Sequence, residues 1–545
     1  MSVPDTSNKK SGFVAGVVIL TLSNILVRVI GLVLKIPLHA ILGDEGMAYY
    51  TVAYEIYVWF YMISTAGLPV AASILISESL ANGGLREIKR VFGVTLALFS
   101  GVGLVGSLLM FFGAHGFAAL YDLDKANACI AAIAPTLFFV CISSAIRGYF
   151  QGYQKMVPTA VSQLIEALCK LGIGLLLAHY AMRQGYAPHI VAAYTIVGLS
   201  VGVAAGMLFL WVAKLLFGRR AVLREPWAPL PGYTPPSAAK ILRRVIATAI
   251  PVTLSASVTS FTNMLDGMII SQRLQDTGCT EEMAAALFGN YKTLAVSLFN
   301  LPTSLIYPIS YAVIPLITEA LEKKDRDRRL FVVNSTFRTG ALIALPASLG
   351  LCVMAKPILL MLFRNPNSVE MAAPLLSVLS LSIFFVGMMT VSNAVLQAHH
   401  LERLPILSMA VGSGVKLLLS YLLIGDARIG IYGAPLSTLA CYVVITTINF
   451  YFMEKRISFL PRIADMMVRP LLASVLCALS AYLTCRLTNA PLGNTLSTCL
   501  ALLIAVAVYA VLALRMRCIT RGDLLLLSHG EKIAAVLQRL HLLRE

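Results

Sequence analysis

The residues of this chain that could do chemistry are ionisable groups set inside long apolar runs. They are Arg28, Lys35, Glu55, Arg147, Glu166 and Lys170 in the first half, and Asp266, Arg273, Lys292 and Lys416 in the second. Seven are bases and three are acids. A charge at a bilayer centre costs about 2.5–3.5 kcal/mol on insertion scales, so such residues line a wet cavity or snorkel to an interface. Arg147, Arg273 and Lys292 lie close enough to the ends of their runs to snorkel, whereas Arg28 and Glu55 lie deeper. Arg28 and Lys35 are two helical turns apart and share a face. Glu166 and Lys170, at i,i+4, can neutralise each other. A base-rich cavity suits an anionic substrate, and a guanidinium holds phosphate in a bidentate fork.

Nothing in the sequence points to making or breaking bonds. Gly101, Gly103 and Gly106 match the spacing of a dinucleotide fingerprint, but they sit within an apolar helix and lack the βαβ unit that fingerprint needs. They read as a close helix–helix contact, as do Gly198, Gly202 and Gly206. There is no Walker A sequence, and His399–His400 shows no metal spacing. The ten cysteines lie mostly in apolar runs without paired spacing. No catalytic residue, cofactor or metal site is expected.

The elements that carry these charges must be membrane helices. Of the 545 residues 58% are hydrophobic and 13% charged, with mean hydropathy +0.82. Soluble domains carry about 25% charge. A crossing needs about 20 apolar residues, and these runs are too long and uniform for barrel strands. Helices are predicted near 12–41, 46–80, 91–119, 127–152, 157–182, 188–217, 242–274, 284–320, 331–362, 371–398, 404–424, 432–453, 469–488 and 496–516. The predicted fold is therefore an all-α polytopic membrane protein with about fourteen transmembrane helices. Pro37, Pro69, Pro251, Pro302, Pro308 and Pro315 would bend or break them.

The +17 net charge follows the positive-inside rule better than it follows nucleic acid, which is not expected as a partner. Alternate loops carry the bases, including Arg86, Lys89 and Arg90, then Arg219, Arg220 and Arg224, then Lys323 to Arg329. Both termini are therefore expected on the cytoplasmic side of a multi-pass inner-membrane protein, with the first helix retained. The sequence divides into an N-terminal lobe, 1–217, a proline-rich cytoplasmic linker, 218–241, and a C-terminal lobe, 242–453. Two further helices fill 454–517, and the tail 518–545 reads as an amphipathic helix on the inner leaflet. The lobes of six helices repeat each other. Gln151, Pro158 and Lys170 recur as Gln397, Pro405 and Lys416, and Glu78 recurs as Glu319. Weak internal repeats of this kind mark transporters that bind substrate between halves.

Four stretches resemble a known family. Gly43-Asp-Glu-Gly46-Met-Ala-Tyr49-Tyr50, followed by Ser64-Thr-Ala-Gly67-Leu-Pro69 to Ser73 and Glu78, resembles the second-helix signature of the SpoVB/YtgP group, the Gram-positive MurJ-type proteins of the MOP (MATE-like) exporter superfamily. Arg147-Gly-Tyr-Phe-Gln151-Gly152 through Pro158, Gln163 and Glu166 resembles its fourth-to-fifth-helix signature. Asp266 with Arg273, and Asn300-Leu-Pro302 with Pro315 to Glu319, resemble its seventh and eighth helices. The resemblance covers about residues 12–460.

It implies two six-helix lobes around a cationic cavity, with the last two helices forming a groove for a lipid tail. It implies a flippase for an undecaprenyl-pyrophosphate-linked glycan, lipid II first, working by alternating access among membrane lipids. MurJ proteins carry cavity arginines in helices 1, 2 and 8. Here Arg28 fits helix 1, but helix 2 carries Glu55, helix 8 carries Lys292, and Lys170 stands where the group often has arginine. The expected substrate-binding residues are Arg28, Lys35 and Arg273 first, then Arg147, Lys170 and Lys292. Glu55, Asp266 and Glu166 would orient those bases or couple a monovalent cation, the alternative drive being the membrane potential. Other readings are a MATE-type drug/cation antiporter, which favours an acid-rich cavity, and a polysaccharide-unit or sporulation-specific flippase. A membrane-embedded glycosyltransferase would need a large outer loop or an acidic catalytic motif, and the outer loops here are short.

Overall fold

The computed structural model describes residues 6–82, 84–224, 236–363, 365–457, 463–516 and 518. Among the described residues every regular element is helical. Ten helices or helix pairs are long and apolar enough to cross a membrane. Two of the ten are doublets: Leu22–Ala81 spans 60 residues and Met467–Arg515 spans 49, each more than twice the length one crossing needs. Counting each doublet as two crossings, and adding the helices Ala238–Asp276 and Val296–Glu322, gives the fourteen expected. The linker prolines Pro226, Pro229, Pro231 and Pro235 and the tail 519–545 lie outside the described residues.

The chain forms two compact units, Met1–Gln272 with Thr280–Gly289, and Arg273–Cys279 with Asn290–Glu545. The first contains α1 (Thr6–Thr65), α2 (Leu68–Asn82), α3 (Gly84–Phe112), α4 (Ala114–Ala119), α5 (Asn127–Gly152), α6 (Val157–Arg183) and α7 (Pro188–Arg224). It also takes α8 (Ala238–Asp276) as far as Gln272, and α9 (Glu281–Asn290) except its last residue. The unit boundary therefore falls in the last turn of α8 rather than at the linker, which differs from a second lobe beginning at 242. The reason is packing. A Cβ on Gly67 would lie 2.2 Å from the Ala249 carbonyl oxygen, and one on Gly267 would lie 2.3 Å from Glu55 Oε2. The Ser271 hydroxyl donates to the Tyr121 carbonyl.

Two glycines bend the doublets because only glycine adopts their backbone angles without strain. Gly43 (φ 64°) turns α1, and Gly493 (φ 71°) turns α16 (Ile463–Arg515). The bend at Gly43 is held by its own signature. Asp44 pairs with the buried His39 at 2.9 Å, and Tyr49 donates to Glu45 at 2.8 Å. The expected single helix 46–80 is broken at Ala66–Gly67, where Gly67 meets the α8 backbone.

The second unit contains α10 (Val296–Glu322), α11 (Arg326–Phe363), α12 (Pro366–Ser380), α13 (Ser382–Ala398), α14 (Arg403–Ile424), α15 (Gly433–Ile457) and α16. A π-helical turn, Tyr291–Ala295, leads into α10. In α16, Cys477, Ala481, Cys485, Ala501 and Ala505 cluster with Met354 of α11, and Tyr509 donates to the Leu342 carbonyl at 2.7 Å. The two last helices are thus pinned to α11.

The helix neighbours repeat. In the first unit α2 packs on α3 and α5, α3 on α5, and α7 on both α5 and α6. In the second α10 packs on α11 and α13, α11 on α13, and α15 on both α13 and α14. Most of the glycines read as contacts are contacts: Gly103 and Gly106 of α3 meet Cys141 and Leu137 of α5, and Gly198 of α7 meets Gly174 of α6, whereas Gly101 faces open space.

Candidate functional site

The first unit brings together six of the nine anticipated charges at three stations along α1 and α6. The first station is the pair Arg147–Glu166, joining α5 to α6. Arg147 also donates to Ser162 Oγ from Nε at 3.4 Å and from Nη2 at 3.3 Å. Ser162, fully buried, donates to the Thr159 carbonyl at 2.8 Å. Glu166 thus pairs with Arg147 rather than neutralising its own i+4 neighbour Lys170. The close approach of α7 fixes this arrangement, since a Cβ on Gly206 would lie 2.6 Å from Glu166 Cγ. Arg147 is 8% exposed, and its guanidinium is committed to helix packing.

The second station surrounds Lys170. Its ammonium lies 4.8 Å from the centre of the Tyr54 ring and 6.0 Å from that of Tyr50. Such contacts are worth about 0.5–2 kcal/mol, depending on desolvation. Lys35 comes within electrostatic range of both Lys170 and Glu55. The third station is Glu55 itself, whose Oε2 accepts from the Tyr121 hydroxyl at 3.2 Å while that hydroxyl also contacts the Met264 carbonyl at 3.2 Å. Asp266, 1% exposed, is close enough to Tyr121 to interact electrostatically with it. Arg28 lies further toward the N-terminal end of α1. It is exposed, and no ion pair reaches it among the described residues.

Arg273 and Lys292 lie in the second unit. The Arg273 guanidinium pairs with Asp276 at 2.7 Å and donates to the Tyr421 carbonyl at 3.2 Å. It also stacks 4.3 Å from the Tyr421 ring centre, and a Cβ on Gly425 would collide with it. It therefore caps the end of α14, where free carbonyls attract a cation. This differs from the first-rank ligand role expected of it. Lys292 sits, half-buried, in the π-helical turn, a distortion frequent at functional positions.

The two units carry related but unlike polar centres. The interval of 246 residues between Lys170 and Lys416 also maps Ser162 onto Ser408 and Arg147 onto Asn393. In the second unit Ser408 donates to Asn449 Oδ1 at 2.6 Å, and Asn449 donates to Asn393 at 2.7 Å and Ser392 at 2.9 Å. A neutral amide network thus stands where the first unit has an ion pair.

Two bases were not anticipated. Arg338 sits half-buried in α11, among the polar residues Asn334, Ser335, Thr336 and Thr339; the signal was a lone arginine inside a predicted membrane helix. Lys214 is caged by Phe92, Tyr149 and Trp211, with its ammonium 3.7 Å from the Phe92 ring centre. Its place near the end of α7 is that of a snorkelling residue. Among the described residues no group of His, Cys, Asp or Glu could hold a metal.

Buried bases, tyrosines and carboxylates set along helices long and apolar enough to cross a membrane define a polytopic membrane protein. Comparison with known proteins narrows the class. The family described as polysaccharide biosynthesis protein matches residues 13–321, and the family described as MatE matches 251–422. The chain is 25% identical to stage V sporulation protein B of Bacillus subtilis (strain 168), over 82% of this chain and 84% of that protein. It is 24% identical to lipid II flippase MurJ of the same organism, over 82% and 83%. A solved structure of lipid II flippase MurJ in an inward closed conformation matches with TM-score 0.69 and 13% identity, over 91% of this chain and 98% of that one. The chain belongs to the polysaccharide biosynthesis protein family, and along most of its length it is similar to SpoVB- and MurJ-type proteins.

Proposed function

We propose that this protein flips a lipid-linked glycan carrying a pyrophosphate, with lipid II the first candidate, from the inner to the outer leaflet of the cytoplasmic membrane. The observation that carries the reading is the Lys35–Lys170 station, two ammonium groups within electrostatic range of each other inside the first unit, with the Glu55 carboxylate in range of Lys35 and the Tyr54 ring 4.8 Å from the Lys170 ammonium. Like charges gathered within a membrane helix bundle favour a bound polyanion, because the ligand supplies the counter-charge that solvent otherwise would. Lys35 and Lys170, with Arg28 two turns away on the same helix as Lys35, are the proposed pyrophosphate contacts. Lys292 is a separate candidate within the second unit. Glu55 and Asp266 orient these bases. The α16 doublet offers the lipid tail its groove. The membrane potential supplies the drive, since one charge moved through 100 mV is worth about 2.3 kcal/mol.

The likeness to a lipid II flippase along more than four-fifths of both chains supports the substrate class, and the equal likeness to a sporulation protein leaves the cellular setting to experiment. A base-rich station speaks against a drug/cation antiporter, whose ligand would be repelled. The test is replacement of the resident lipid II flippase in a depletion strain. Growth supports the reading. Lysis despite normal membrane abundance removes lipid II as the substrate.

A further inference from the structure

We infer that Tyr54 is a stacking platform for a sugar ring of the transported lipid, backed by a ladder of tyrosines on α1; this rests on the proposed function and names the part of the substrate that the ladder holds. Tyr50, Tyr54, Tyr57 and Tyr61 follow at intervals of four, three and four residues, so they share one helix face. Their rings touch in sequence. Tyr50 and Tyr54 are stacked, with centres 6.1 Å apart and planes within 10°. Tyr54 and Tyr57 are 6.0 Å apart, and Tyr57 and Tyr61 5.8 Å. Tyr50 and Tyr57 are each 5% exposed, whereas Tyr54 between them is 36% exposed. Two buried rings thus clamp an open one.

That open ring does not face lipid. Lys170 lies over it, and the far end of the ladder reaches the electrostatic field of Arg147 and Glu166 at Tyr61. Placing so many charges against hydrocarbon would be prohibitive. The face is therefore wetted, and its depth is telling. Tyr54 comes eleven residues after the bend at Gly43, or about 16 Å along the helix, which is near the middle of a core roughly 30 Å thick. A tyrosine at that depth, kept open beside an ammonium, matches a ligand with an apolar face and a polar rim. A pyranose ring has both: axial C–H bonds that lie on an aromatic face, and equatorial hydroxyls that reach Lys170. An organic cation would stack equally well but would meet the Lys170 charge. The same ammonium can hold the pyrophosphate that joins the sugar to its lipid, so sugar and phosphate would lie side by side on one station.

The test compares binding of lipid II and of undecaprenyl pyrophosphate, which lacks the sugars, to detergent-solubilised protein with Tyr54 replaced. Tyr54→Leu should weaken lipid II binding roughly tenfold or more while leaving undecaprenyl pyrophosphate binding within about twofold; Tyr54→Trp should restore lipid II affinity. Because Tyr54 is open, both variants should fold, which thermal unfolding checks. Equal loss for both ligands, or no loss for either, overturns the platform. If the unmodified protein binds undecaprenyl pyrophosphate but no sugar-bearing lipid, the platform fails and the anion site stands. If it binds neither, the flippase reading itself has failed.

Discussion

Replacing Arg147 with glutamine should destabilise the protein before it impairs transport. Among the described residues the guanidinium is the ion-pair partner of Glu166, and the side chains of the two residues are 10% and 20% exposed. Removing one member of a buried pair costs about 3–5 kcal/mol, because the other charge is left without compensation. The residual exposure of Glu166 lets water reach it, so the lower end, about 3 kcal/mol, applies here. At 1.4 kcal/mol per decade that is on the order of a hundredfold in the folded-to-unfolded ratio. Arg147→Gln combined with Glu166→Gln removes the stranded charge and should recover more than half of the loss, a positive coupling in a double-mutant cycle. The assay is thermal unfolding of the detergent-solubilised single and double variants, together with membrane abundance and with transport normalised to that abundance. A single variant as stable and abundant as the parent, yet dead in transport, would refute the argument and return Arg147 to the substrate-binding set.

Other outcomes follow from the same geometry. Gly206→Leu should lower stability by about 1–3 kcal/mol, since its side chain must displace Glu166 from Arg147; a melting temperature within a degree of the parent would contradict this. Arg28→Ala should abolish complementation at near-normal abundance and Arg28→Lys should retain part of it, because charge survives while the bidentate fork is lost; growth of the alanine variant at parental rate removes Arg28 from the site. Arg244→Ala, which breaks an exposed bidentate pair with Glu78 (2.8 and 3.0 Å), should change stability by less than about 1 kcal/mol. A cysteine at position 230 in a cysteine-free background should resist an impermeant thiol reagent in intact cells, and labelling there would reverse the proposed topology.

Helices and their number were legible in the sequence because length and apolarity decide a membrane crossing with no help from neighbours. Asn127–Gly152 and Val157–Arg183 lie within a residue of expectation for that reason. The glycine contacts were legible too, since only packing explains small residues at four-residue spacing in an apolar helix; Gly198, Gly202 and Gly206 all meet α6. Charge placement was legible as a set of positions but not as a set of partners. An i,i+4 spacing allowed Glu166 to meet Lys170, yet Arg147 arrives from another helix with better geometry, leaving Lys170 to the tyrosines. Nothing local foretold that α8 would join the first unit, or that Arg273 would spend its fork on a helix end 148 residues further along the chain. Hydropathy is a property of one segment, whereas an ion pair, a ring stack or a capped carbonyl is a property of two. Only the folded chain decides which segments meet.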